Sequence, residues 1–280
     1  PREMLVGVDG SAPSDAALIL ALAWAKRAGA RLHAVHATPD FPAPWNHGPT
    51  GRLDLQKIAE AEGRKVLDKT VDEARRSGVA VTPHLKHGDP ARNVLAAAKE
   101  TGADLVVVGS HGYGPVNRWL LGSVSTSIVS HAPLSVLVVR GTPPEAPRRI
   151  LLGVDGSERA VTAAAWALAL ADRFGATLTV CHIAELPTSP IFGPSDLEAL
   201  TGWLNKARAQ FPAIQAGGKA VAVEMTSGSP GTRLNEVAET GGYDLIVVGA
   251  SGSHGPASLF LGNTSRKVVQ GAPCSVLIAH

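Results

Sequence analysis

A glycine ladder occurs twice in this chain, the second copy 140 residues after the first. Gly109-Ser110-His111-Gly112 is followed by nine residues and then Gly122-Ser123, and Gly249-Ala250-Ser251-Gly252 by nine residues and then Gly262-Asn263. Glycines held at fixed distances mark a backbone that bends sharply or that something approaches closely. Each ladder follows an apolar run, Leu105 to Val108 and Leu245 to Val248, and precedes a helix-like stretch. A loop between a strand and a helix start is a setting in which backbone amides cradle phosphate. One such spacing is weak evidence, whereas two copies in the same context constrain the fold and the chemistry together.

The ladder belongs to a repeat of the whole chain. Leu5-Val6-Gly7-Val8-Asp9-Gly10-Ser11 returns as Leu151-Leu152-Gly153-Val154-Asp155-Gly156-Ser157, an offset of 146, while Gly88-Asp89-Pro90 returns as Gly228-Ser229-Pro230, an offset of 140. Six residues are therefore missing from the second repeat between His182 and Gly228. The 280 residues divide into a domain over 1–140, a proline-rich linker over 141–147 and a second domain over 148–280.

Within each repeat strand-like and helix-like periods alternate. Met4–Val8, Arg31–Ala37, Val79–Leu85, Leu105–Val108 and Ser135–Val139 read as strands. Ser14–Ala28, Leu53–Ser77, Pro90–Thr101 and Ser123–Ser130 read as helices, with 38–51 a loop. The second repeat follows suit and ends in the strand Ser275–Ala279. Such alternation predicts an α/β fold: two tandem doubly wound domains, each a parallel sheet with helices on both faces. Ligands of such sheets bind at the strand carboxyl ends, beside the topological switch point. Asp9 and Gly109 fall at such ends.

The charge is +2, with 16 Lys+Arg against 13 Asp+Glu in residues 1–142 and 10 against 11 in 143–280. That balance points away from nucleic acid and from a charged membrane surface. Apolar runs such as Ala163 to Ala171 are too short to span a bilayer. Cys181 and Cys274, in different strand-like segments, read as reduced buried thiols. With no secretory-type segment in these residues, the expectation is a cytoplasmic protein. The ten histidines show no metal-ligand spacing, so no metal site of the protein's own is expected. His33 and His36, three apart on a strand, face opposite sides of it. His36 and its counterpart His182 fit core or crevice packing, and Trp24 and Trp166 fit the core.

At the start of a helix the free amides and the dipole favour an anion, the dipole by on the order of 0.3–1 kcal/mol. Each charge-assisted hydrogen bond adds about 1.5–3 kcal/mol. Amides around Gly122-Ser123, with the hydroxyls of Ser123 and Ser125, can thus hold a di- or triphosphate without a lysine. Ser123 is also a good helix cap, which explains the serine but not the glycine spacing. Asp9 suits a ribose hydroxyl, a base amine or Mg2+, and equally an Asx turn or cap. Gly88-Asp89-Pro90 either closes the site or only ends a strand and starts a helix. His111 sits inside the loop, as donor or facing solvent. Arg118 is the candidate cation of the first loop, with Ser258 in its place in the second. No Walker-type loop, dinucleotide fingerprint or nucleophile elbow occurs, and no nucleophile has an adjacent histidine base, so no catalytic residue is assigned.

The opening Val-Gly-Val-Asp-Gly-Ser, the G-x2-G-x9-G-[ST] ladder and the Ala-Pro-x-Ser-Val-Leu ending together resemble the universal stress protein family in its tandem form, over nearly all of both repeats. That resemblance implies five-stranded parallel sheets of order 3-2-1-4-5. It also implies pairing of Ser135–Val139 with Ser275–Ala279 about a pseudo-twofold axis, and further dimerisation of the chain with itself as an open option. The nucleotide-binding branch of the family holds ATP, with ADP and AMP as alternatives and Mg2+ accompanying the nucleotide. By matching position, Gly7, Val8 and Asp9 would lie along adenine and ribose, with Val35 against the base. Gly109, His111, Gly112, Gly122, Ser123, Val124 and Ser125 would surround ribose and phosphates.

A second site would use Gly153, Val154, Asp155, Gly249, Gly252, Gly262, Asn263, Thr264 and Ser265. There Asn263 departs from the signature, Cys181 replaces Val35, and the second site is expected to be weaker or empty. The implied role is stress response or signalling through nucleotide-dependent association with an unknown protein partner and little or no hydrolysis. A slow ATPase or adenylyl-transfer enzyme, or an interaction module without nucleotide, are the rivals.

Overall fold

The computed structural model describes residues 1–41, 55–112, 121–155, 158–184, 221–250 and 261–280. They fall into two compact units, the first ending at Glu145 and the second beginning at Ala146.

The first unit runs β1 (Glu3–Gly7), α1 (Ala12–Ala28), β2 (Arg31–Thr38), α2 (Leu55–Arg76), β3 (Val81–His87), α3 (Pro90–Thr101), β4 (Leu105–Gly109), α4 (Ser123–His131) and β5 (Ser135–Val139). All neighbouring strands are parallel, and the order is β3-β2-β1-β4-β5. Every residue of β4 and β5 is buried. Such strands, covered on both faces, read as continuous apolar runs without alternation. The chain winds outward from β1 to β2 and β3, then returns to place β4 on the other side of β1. The switch point therefore lies between Gly7 and Gly109, at the carboxyl ends of β1 and β4.

Local signals set the helix limits. Ser11 caps α1 by accepting from the Ser14 amide, and Gly29 closes it in the left-handed region at φ 64°. Asp89 caps α3, its carboxylate accepting from the Arg92 amide at 2.8 Å, with Pro90 in the first turn and left-handed Gly102 at the end. The helix α1 packs on β1, β4 and β5, and α3 on β1 and β2. Trp24 is fully inside the α1 face.

The second unit repeats the plan with β6 (Arg149–Val154), α5 (Glu158–Phe174), β7 (Thr177–Ala184), β8 (Val221–Ser227), α6 (Pro230–Gly241), β9 (Leu245–Gly249), α7 (Asn263–Gly271) and β10 (Ser275–Ala279). Its strands are parallel in the order β8-β7-β6-β9-β10. The offset is 146 up to the end of β7 and 140 from the start of β8, so the six-residue deficit lies between Ala184 and Val221. Two expectations are corrected here. Cys274 is half-buried in a bend before β10, because Pro273 delays the strand, and Trp166 is half-buried where Trp24 is fully covered. Cys181 is buried on β7 and in no disulfide, as the strand pattern predicts. Among the described residues no helix is long and apolar enough to cross a membrane.

Candidate ligand-binding cleft

The carboxyl ends of β1, β2 and β4 and the start of α4 enclose a cleft of about 390 Å3 in the first unit. That is within the range of about 300–1,000 Å3 occupied by small-molecule sites. The first-repeat residues placed around a nucleotide by the family resemblance line it: Gly7, Val8 and Asp9 from β1 and its turn, Val35 from β2, and Gly109, His111, Gly112, Gly122, Ser123, Val124 and Ser125 from the ladder and α4. Ser14, His36, Ala37, Pro90, Val94, Val108 and Ile128 complete the wall.

Asp9 uses its two oxygens differently. Oδ1 accepts from the Ser11 amide at 2.9 Å and from the Ser11 hydroxyl at 2.6 Å, the Asx turn that Asp-Gly-Ser favours. Oδ2 points across the cleft to the ladder, where a Cβ added to Gly112 would meet it at 2.7 Å. The turn and the binding role are therefore compatible, one per oxygen. The Asp9 amide donates to the hydroxyl of Ser14 at 3.0 Å. Ser14 was not singled out from the sequence, where it reads only as the first turn of a helix.

The ladder glycines keep ordinary negative φ, so the spacing serves close packing. A Cβ on Gly109 would lie 2.7 Å from the Pro13 carbonyl, and one on Gly122 would lie 3.0 Å from the Cα of His111. Gly112 alone of the three opens directly onto a group facing the cleft. The loop is closed by the Ser110 amide donating to Val139 and the Gly122 amide donating to the Ser110 carbonyl at 2.7 Å.

Gly122, not Ser123, is the N-cap of α4, and among the described residues no side chain caps this helix. The capping role open to Ser123 is thus corrected, because Ser123 is already the first helical residue. The amides of Ser123, Val124 and Ser125 precede the first residue with an intrahelical acceptor, so they face the cleft as donors. Ser125 is buried and donates its hydroxyl to the Gly109 carbonyl at 2.7 Å. Its hydrogen is spent on the loop, so what Ser125 offers the cleft as a donor is its amide. Asp89 caps α3 while Pro90 reaches the cleft wall, so Gly88-Asp89-Pro90 does both things the sequence left open.

Two histidines line the cleft. His36 Nδ1 donates to the Val8 carbonyl at 2.7 Å, tying β2 to the end of β1. His111 Nδ1 lies 2.9 Å from the hydroxyl of Ser110. His33 faces the other side of β2, between Glu3 and His84. Arg118 lies outside the described residues.

The second unit keeps the same frame with different walls. Ala250 donates to Ala279, Gly262 donates to Ala250 at 2.7 Å, and Ser265 donates to the Gly249 carbonyl at 2.6 Å. Gly262 is the N-cap of α7, so Asn263 is its first helical residue. Gly153 and Val154 end β6 beside Cys181, in register with Gly153, and Asp155 follows. Thr264 stands in the first turn of α7. The wall residues are larger: Leu234 stands at the position of Val94 and Ile183 at that of Ala37. A Cβ on Gly153 would meet Leu234 at 2.8 Å, whereas one on Gly7 meets nothing closer than 3.4 Å. Ala160 stands for Ser14 and Ala250 for Ser110. Gly252 and Ser258 lie outside the described residues. Among the described residues no group of three His, Cys, Asp or Glu side chains is arranged for a metal.

The sequence model of the universal stress protein family matches residues 1–140 and 147–280. Over 298 residues the chain is 30% identical to a universal stress protein of Mycolicibacterium smegmatis, spanning 99% of this chain and 96% of that protein. A universal stress protein of Mycobacterium tuberculosis is also 30% identical, over 300 residues with the same coverages. The crystal structure of a universal stress protein from Archaeoglobus fulgidus shares the fold, with a TM-score of 0.74 over 99% of this chain and 98% of that one at 20% identity. The chain belongs to the universal stress protein family, with the family's sequence represented twice along it.

Proposed function

We infer that the first unit binds an adenine nucleotide, ATP before ADP or AMP, and that its occupancy governs association in stress response or signalling, with little or no hydrolysis. The observation that carries this reading is the uncapped start of α4 facing Asp9 Oδ2 across one cleft. Three amide donors and a helix dipole favour phosphate at one end. At the other end, Val8, Val35 and Val94 offer an apolar slot for a base, and Asp9 Oδ2 is an acceptor for a ribose hydroxyl. Mg2+ enters only as the counter-ion of the nucleotide.

The reading treats 1–140 and 148–280 as two domains joined by 141–147, acting together and with a protein partner or a second copy. The second domain binds nucleotide more weakly or not at all, because Leu234 and Ile183 fill space that Val94 and Ala37 leave open. Acid extraction of the freshly purified full chain, followed by chromatography, should release adenine nucleotide. Added ATP should raise the thermal midpoint of nucleotide-stripped protein. The absence of both released nucleotide and a thermal shift would remove the reading. Turnover well above that of a Gly122→Ala variant would replace it with an enzyme.

A further inference from the structure

We propose that Ser110 is a positioning residue that holds His111 in its Nε2–H tautomer, so that His111 presents a hydrogen-bond donor to an anionic group of the ligand in the first cleft. The anion rests on the nucleotide reading above; the tautomer does not. Ser110 is 2% exposed, and its hydroxyl lies 2.9 Å from His111 Nδ1. Among the described residues that nitrogen is the hydroxyl's one partner. A hydroxyl carries one hydrogen and must give it to an acceptor when buried. Were Nδ1 to carry the proton, the hydroxyl oxygen would accept it, and the serine hydrogen would be left in the interior with no acceptor among the described residues. With the serine donating, both are satisfied, and the ring proton goes to Nε2, at the edge left to the cleft that His111 lines.

His36 makes the opposite choice on the same cleft. The Val8 carbonyl can only accept, so Nδ1 of His36 carries the proton and Nε2 is left bare. The two rings thus differ in polarity: a donor stands on the side of the ladder and of the free α4 amides, an acceptor on the side of β1 and β2. The backbone of the loop is held independently, by Ser110 to Val139 and Gly122 to Ser110, so the serine side chain is not needed to shape it. In the second ladder the pair is absent, with Ala250 and Ser251 at the matching positions. The donor is therefore particular to the first unit, beyond the amides both ladders share.

The tautomer is read directly from long-range nitrogen–proton spectra of the 15N-labelled full chain at alkaline pH, without ligand. His111 should show the Nε2–H pattern. Ser110→Ala should shift it toward a mixture of tautomers, and Ser110→Thr, which keeps the hydroxyl, should restore it. Calorimetry with ATP should then show an affinity about fivefold lower for Ser110→Ala, the loss of one ordinary hydrogen bond, and near normal for Ser110→Thr. An Nδ1–H pattern in the unaltered chain, or a pattern indifferent to Ser110→Ala, overturns the proposal. So does an expected tautomer with no change in ATP affinity. The Nε2–H pattern in a chain that binds no ATP supports the Ser110 arrangement and overturns the nucleotide reading, which separates the two.

Discussion

The hydroxyl of Ser125 donates to the carbonyl of Gly109 at 2.7 Å, fastening the first turn of α4 to the end of β4 across the whole ladder. Ser265 does the same to Gly249 at 2.6 Å. Two loops with different side chains thus share one fastening, which makes it a property of the frame and not of any ligand. Ser125→Ala removes the donor and should cost about 1 kcal/mol of stability. Ser265→Ala should cost a similar amount, read as a lower urea midpoint at unchanged slope. No loss in either variant would show that the loops hold without the serines.

Gly112 and Asp9 give a test of the cleft itself. Gly112 has no left-handed backbone to protect, so alanine is tolerated conformationally. Its methyl would sit 2.7 Å from Asp9 Oδ2, and Asp9 cannot swing far because Ser11 holds Oδ1. Forced overpacking of this kind costs about 1–3 kcal/mol. Gly112→Ala should lower ATP affinity by about tenfold while the protein stays folded. Calorimetry that finds the affinity unchanged would place the ribose away from Asp9.

The parallel sheets and the ladder's position were legible because parallel strands buried on both faces leave unbroken apolar runs such as Leu105 to Val108, whereas the strand order came only with the family resemblance. What escaped the sequence depends on contacts between distant segments. Ser123 reads as a cap because serine usually is one, yet the Gly122 amide is already taken by the Ser110 carbonyl, which starts the helix one residue earlier. Ser14 reads as helix, and only the fold brings its hydroxyl to the Asp9 amide. The glycines read as room for a ligand, and two of the three instead make room for Pro13 and His111.

Stability should fall on mild acidification. Burial holds the titration of His84 below that of a free histidine, and the neighbouring His33 and Lys86 push it further down, against Glu100. Burial likewise lowers His182, against its bond to Val154 and the charge of Asp155. Both are favoured neutral in the fold, so their contribution is fully present above the unfolded value of about 6.5 and is lost as pH falls through the lowered folded values. At lower pH Glu3 adds a second loss, since the hydrogen bond from Arg31 holds its carboxyl below the ordinary range. Urea midpoints should therefore drop between neutral pH and the mid-acid range, and His84→Gln should flatten part of that slope. A midpoint that is constant across this window would contradict the assignment.

The unequal wall residues at matching positions of the two units predict unequal occupancy, and the inequality can be exchanged between units. Leu234 stands at the position of Val94, and Ile183 at that of Ala37, while matching backbone bonds, Gly122 to Ser110 and Gly262 to Ala250, close the two ladders. Placing the larger pair in the first unit, Val94→Leu with Ala37→Ile, should abolish most ATP binding without touching Asp9, the ladder or α4. The reverse change, Leu234→Val with Ile183→Ala, removes buried methyl groups, and the isoleucine truncation alone costs about 2–5 kcal/mol. It should nevertheless raise the calorimetric stoichiometry above one nucleotide per chain if volume is what closes the second cleft. If the enlarged cleft stays empty, the missing Ser110, His111 and Ser14 hydrogen-bonding groups decide occupancy instead. If the unaltered chain already binds two nucleotides with equal affinity, the side chains at these positions do not set the difference, and the inequality itself is refuted.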